Sequence, residues 1–225
     1  MQLSDRTLQV LKNYATINPN IVFRAGNELM TISVARNVLS KATLDEEVPV
    51  DFGIYDLNEF LSVLNLVDNP TLEMKPSYVL VSDSVGRSNV KYYFSDPDML
   101  TVPQKEIIMP ETEVNFVLDT DTMGKLKRAA SALGHGEISI TPSGGSVRLS
   151  VVDTTDSTSN AFSIDVEGDY DEDASFNFVL NVNNLKIVNE DFAVGISSKL
   201  ISNFKSQQSA IEYFIALEKT STYGE

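Results

Sequence analysis

The sequence predicts an α+β protein made of two tandem halves, each with two helices packed on antiparallel sheets. Three observations predict it. Helix signals occur in four places, all short. The remainder alternates with the two-residue period of strands and is broken by turns. The order helix, hairpin, further strand, helix, final strands is read twice, on either side of a proline-containing stretch at 95–110.

Ser4 is a good N-cap, and Leu8, Leu11 and Ala15 follow at helical spacing, so the first helix is expected over about 4–14. Asp56 starts the second, with Glu59 as its capping-box partner and Leu57, Phe60, Leu61 and Leu64 as the apolar stripe. The third is expected over roughly 119–133, with Met123, Leu126, Ala130 and Leu133 on one face. Asn181 is expected to open the fourth, in which Val182, Leu185 and Val188 are apolar. Two hairpins are predicted. Ile21-Val22-Phe23 leads through Ala25-Gly26-Asn27 into 29–34, and Ile138-Ser139-Ile140 leads through Pro142-Ser143-Gly144-Gly145 into 147–152. Final strands are read at 79–82, 91–94, 192–196 and 211–217.

The two halves align at their second helices, where Ile54-Tyr55-Asp56-Leu57-Asn58-Glu59-Phe60 matches Val179-Leu180-Asn181-Val182-Asn183-Asn184-Leu185 in pattern. The predicted domains are therefore 1–95 and 113–225, joined by a connector at 96–112. Pro97, Pro103 and Pro110 make that connector extended. Its apolar residues Val102, Ile107, Ile108 and Met109 exceed what a solvated linker needs, so part of it is expected to pack on a domain or wall a groove.

With 225 residues, 42% of them hydrophobic, the chain can bury a real core, and no apolar run approaches the length of a membrane span. Its start, Met1-Gln2-Leu3-Ser4-Asp5, has no basic segment followed by an apolar one, so no signal peptide is expected and the protein is expected in the cytoplasm. Zero cysteines exclude disulfides and thiolate metal sites. A net charge of −15 argues against the simplest nucleic-acid binder, but an acidic surface can still carry a local basic stripe.

Catalytic and cofactor readings find little. His135 sits in Gly134-His135-Gly136, a turn after a helix. Pro142-Ser143-Gly144-Gly145 lacks the Gly-Lys-Ser/Thr of a phosphate loop. Asp169, Asp171 and Asp173 have calcium-loop spacing, but Ala174 stands where Gly is needed and Leu180 where a bidentate Glu belongs. No cofactor, metal or nucleophile is expected, and the chain is not read as an enzyme.

Several blocks nevertheless resemble the sliding clamp of T4-like bacteriophages, in order and over almost the whole chain. They are Leu11-Lys12-Asn13-Tyr14-Ala15-Thr16-Ile17-Asn18, Ile54-Tyr55-Asp56-Leu57-Asn58 with Phe60-Leu61, Gly168-Asp169-Tyr170-Asp171 with Phe176-Asn177-Phe178, and Ala216-Leu217-Glu218. The resemblance implies two copies of the clamp fold per chain and a pseudo-sixfold ring of three identical chains around duplex DNA. If four helices per chain, each about 10 Å wide, line the hole, twelve leave a clear bore of about 28 Å and eight only about 15 Å. A duplex of about 20 Å, with grooves roughly 8 Å deep, passes the first alone.

The resemblance also implies partners: duplex DNA bound without sequence preference, the replicative DNA polymerase, a clamp-loader ATPase and late-transcription factors. Six of the 17 basic residues, Arg6, Lys12, Lys125, Lys127, Arg128 and Lys186, fall on three of the expected helices. On sequence alone they fit a solvated face as well; the resemblance turns them toward DNA, most directly Lys12, Arg128 and Lys186. The second helix, with Asp56 and Glu59 and no base, departs from the pattern. Partner peptides are expected in an apolar pocket formed by Ile107, Ile108, Pro110, Phe214 and Ala216, residues that core packing also accounts for. A β-rich phage structural or assembly protein with no DNA role is the competing reading. A single-strand-binding protein is disfavoured, because aromatic and basic residues are not interleaved.

Overall fold

A computed structural model describes residues 1–103, 107–156 and 158–224. The chain divides into two compact units, Met1–Glu106 and Ile107–Glu225. The connector is thus shared between them, and its Gln104-Lys105-Glu106 lie outside the described residues.

The first unit contains α1 (Asp5–Ile17), β1 (Ile21–Phe23), β2 (Gly26–Ile32), β3 (Val38–Val48), β4 (Phe52–Ile54), α2 (Leu57–Asn65), β5 (Thr71–Met74), β6 (Tyr78–Ser82) and β7 (Asn89–Tyr93). Ser4 caps α1, accepting from Thr7 N, while Glu46 of β3 accepts from Ser4 N and Thr7 Oγ1. The helix runs three residues past its expected end because Ile17 is still on the buried face with Val10, Leu11 and Tyr14. Tyr14 is fully buried; its hydroxyl donates to Leu29 O and accepts from Ser40 Oγ. Asp56 caps α2 through Asn58 N and Glu59 N, as expected. The Glu59 carboxylate instead accepts from Tyr92 Oη at 3.1 Å.

The first hairpin does not form as predicted. β1 pairs antiparallel with β4, and β2 pairs with β3. Stacking of Phe23 on Phe52 and of Phe52 on Phe94 holds β1 against β4. Asp51 secures the bend after β1 by accepting from Ala25 N and pairing with Arg24. The remaining strands form the sheet β5-β6-β7. Reciprocal backbone bonds between Met1 and Leu72 cover the outer side of β5, and β7 is left as an open edge.

The second unit contains β8 (Val114–Leu118), α3 (Thr120–Leu133), β9 (Glu137–Ser143), β10 (Ser146–Val152), β11 (Phe162–Tyr170), β12 (Phe176–Asn181), β13 (Phe192–Ser197), β14 (Ile201–Ser206), β15 (Ile211–Ala216) and β16 (Thr222–Tyr223). Its strands follow the order β16-β12-β9-β10-β11-β8-β13-β14-β15, with every pair antiparallel. The β9–β10 hairpin turns at Gly144 and Gly145, both with positive φ, as a tight turn between twisted strands requires. β11 changes partners along its length: 162–167 pair with β10, and 168–170 pair with β8. α3 packs Met123, Leu126 and Ala130 toward β10 and β11.

The fourth helix is a correction. Asn181 does cap, accepting from Asn183 N, but it opens only a single 3-10 turn, Val182–Asn184, and the chain then runs irregularly to β13. Asn183 and Asn184 favour side-chain-stabilised turns, and Ile187 and Val188 are β-branched, so little favours helix propagation. Tyr213 Oη also engages Val188 N, and Glu190 accepts from Ser209 Oγ, pinning the segment in a non-helical path. Among the described residues each chain therefore has one α-helix fewer than a bore of twelve helices requires.

Candidate nucleic-acid interface

Basic residues converge on α3. Asp119 caps this helix through Thr122 N, Asp191 accepts from Thr120 N, and Gly134, in the left-handed region, ends it. Two carboxylates at the N-terminus oppose the positive end of the helix dipole and leave the bases further along to act outward. Lys125 and Arg128 are exposed, and Lys127 is half-buried. Lys125 pairs with Asp121 one turn earlier at 2.6 Å. Burial pushes the Lys127 amine below its ordinary value. Arg128 lies back over Gly124, where a side-chain carbon would meet its Nη1 at 3.1 Å, so the glycine leaves room for the guanidinium.

Lys186 is exposed on the irregular segment after the 3-10 turn rather than on a helix. That segment starts beside the end of α3, because Val182 N donates to Gly136 O at 2.8 Å. In the first unit Lys12 is exposed on α1, and Arg6 is half-buried in its first turn. The exposed face of α2 carries Asn58, Ser62 and Asn65 with no base. Sequence reasoning overlooked Gly124, whose role depends on where Arg128 folds back; a glycine four residues before an arginine on a helix face is the signal that could have found it.

The expected peptide-pocket residues divide. Ile108 is 91% exposed, Ile107 and Pro110 are half-buried, and Phe214 is buried in β15. Ala216 is half-buried opposite Ile201. His135 Nε2 lies 2.7 Å from Asn160 O, and Asp171 accepts from Asp173 N in an acidic turn.

The Asp119 cap gives a direct stability expectation. Asp119→Ala should cost about 1 kcal/mol near neutral pH. The Thr122 N–H holds the Asp119 carboxyl below its ordinary 3.8. A lowered folded-state value means the contribution is complete above 3.8 and is lost as pH falls through and below it. Urea midpoints of the two proteins should differ at pH 7 and converge in acid.

Residues 4–95 match the family model described as DNA polymerase processivity factor, and residues 115–219 match gp45 sliding clamp, C terminal. Similar curated proteins include the sliding clamp of Vibrio phage KVP40, 33% identical over 97% of this chain and 99% of that protein. The sliding clamps of Escherichia phage RB69 and Enterobacteria phage T4 are 32% and 29% identical, each over 99% of both chains. Among solved structures, proliferating cellular nuclear antigen from Entamoeba histolytica superposes with a TM-score of 0.69 at 15% identity over 94% of both chains. A. fulgidus PCNA bound to the C-terminal region of FEN-1 superposes with a TM-score of 0.71 at 13% identity over 98% of both chains. The last two likenesses concern the fold alone.

Proposed function

Because the chain belongs to the sliding-clamp family of T4-like phages, the DNA polymerase processivity factors, we propose that three copies close head to tail around duplex DNA. A clamp holds DNA by topology rather than by catalysis, so contacts between protein and phosphate can be weak and sequence-independent. Arg6, Lys12, Lys125, Lys127, Arg128 and Lys186 supply those contacts while most acidic residues lie elsewhere. An ATP-dependent loader opens the ring, in the cytoplasm of the infected bacterium. The polymerase, and late-transcription factors in their turn, attach by short peptides near Ile107, Ile108, Pro110, Phe214 and Ala216. No helix among the described residues is long and apolar enough to cross a membrane.

The observation that supports ring closure is a pair of unlike open strand edges. β7 has no strand beyond it, and residues 162–166 of β11 have no backbone partner on the side away from β10 among the described residues. Both alternate half-buried and exposed side chains. Open edges invite pairing, and unlike edges on one molecule give a heterologous contact that closes only at a fixed rotation. Lys91 on β7 and Asp165 with Glu167 on β11 give those edges opposite charge. Native mass spectrometry of the full chain at micromolar concentration should give three times 24.8 kDa, shifting to monomer on dilution. A stable dimer, or a monomer at high concentration, would refute the ring.

A further inference from the structure

A groove of about 600 Å³ crosses the second unit's sheet on the face away from the buried Phe116, Val194 and Phe204. We propose that it docks an extended segment of a partner protein that is basic at one end, apolar in the middle and acidic at the other. Its floor is apolar and shallow: Val117, 48% exposed, stands opposite Ala193, and Gly195 follows along β13. A side chain at 195 would strike Thr112 Cγ2 at 2.8 Å, so the small residue lets the chain before β8 close one end of the groove. Met109 adds a flexible apolar wall.

The polar groups of the floor are already satisfied. Asn115 Oδ1 accepts from Thr112 Oγ1, and Asn203 Nδ2 donates to Glu212 and Tyr213 O. Recognition therefore falls to the rim. Glu167 and Asp169 line the β11 side, Lys205 lines the β14 side, and none of these three side chains makes a hydrogen bond or ion pair among the described residues. Unpaired carboxylates at one end and an unpaired ammonium at the other complement a segment of opposite polarity. From β11 through β8 and β13 to β14 the groove spans three inter-strand gaps, about 14 Å, or roughly four extended residues. Phe214 and Ala216 of the expected peptide pocket do not line it, so this surface is separate from that pocket and does not depend on ring closure.

The test uses the full chain with methyl-labelled Met, Ala, Val and Ile, and two capped pentapeptides, Arg-Gly-Phe-Gly-Glu and Glu-Gly-Phe-Gly-Glu. The first should shift the Met109, Val117 and Ala193 methyl resonances at millimolar concentration and bind about tenfold more tightly than the second. In the Glu167→Lys, Asp169→Lys double variant the preference should reverse, with trimer mass unchanged. Four results would overturn the proposal. They are no shift at these methyls, shifts confined to Ile107, Ile108 and Ala216, a preference that does not reverse, and a changed subunit count, which would make the face a contact between copies.

Discussion

Replacing Lys125, Lys127 and Arg128 together with alanine is expected to abolish loader-dependent retention on DNA while leaving the trimer assembled. Threefold repetition removes each charge three times. Abolishing one ion pair with a phosphate should flatten the dependence of log affinity on log salt by about 0.9. Folding should be little affected, because exposed positions such as Lys125 and Arg128 contribute within about 0.5 kcal/mol. The Lys125–Asp121 pair is exposed and adds at most about 1 kcal/mol. Lys127 is the exception, since its half-buried stem covers apolar surface. Lys127→Met keeps that stem and removes the charge, which separates packing from electrostatics. Lys199 and Lys219, exposed at turns of the second unit, are the control pair, and their alanine variants should retain DNA normally. Equal losses from both sets, measured as salt-resistant retention on circular DNA, would mean the charge is not arranged around a hole.

Tyr93→Glu is expected to convert the trimer to folded monomers. Tyr93 is 64% exposed on the open edge strand β7, where its ring meets Tyr78 at 5.6 Å. An exposed aromatic on an unpaired edge is the residue type that anchors interfaces, and its loss costs about 2 kcal/mol or more, roughly 30-fold per junction. Glutamate adds repulsion from Asp165 and Glu167 of the β11 edge. Tyr93→Lys, equally disruptive in shape, should therefore weaken assembly less. Sedimentation velocity across a dilution series measures both. A Tyr93→Glu trimer as tight as the parent, or equal losses from the two variants, would show that these edges do not meet.

The helix starts were legible because caps are local chemistry. Ser4, Asp56 and Asp119 each accept from backbone N–H groups two or three residues on, where the sequence placed them. The second hairpin was legible for the same reason, through Gly144-Gly145. The partner of β1 was not, since proximity in sequence favoured β2 and the choice of β4 depends on the Phe23, Phe52 and Phe94 stack. The fourth helix failed because apolar spacing at Val182, Leu185 and Val188 outweighed the asparagines in the reading but not in the chain. At the candidate interface, the basic side chains were visible and their setting was not. The burial of Lys127, the placement of Arg128 over Gly124 and the split pairing of β11 all depend on which elements lie side by side.

Asp56 and Asn181 occupy matching places in the two halves and make the same bond, each accepting from the N–H two residues on. One starts a nine-residue helix and the other a three-residue turn. An initiating side chain acts on its immediate neighbours, so it can persist while everything downstream of it erodes. If the halves arose by duplication, the second has been shortened from its far end, and the ancestral start signal is still written at Asn181. Such a fossil can be read forward as well as back. A few strong helix formers in place of Asn183, Asn184 and Val188 would test whether the missing helix can be regrown from a starting point the chain never discarded.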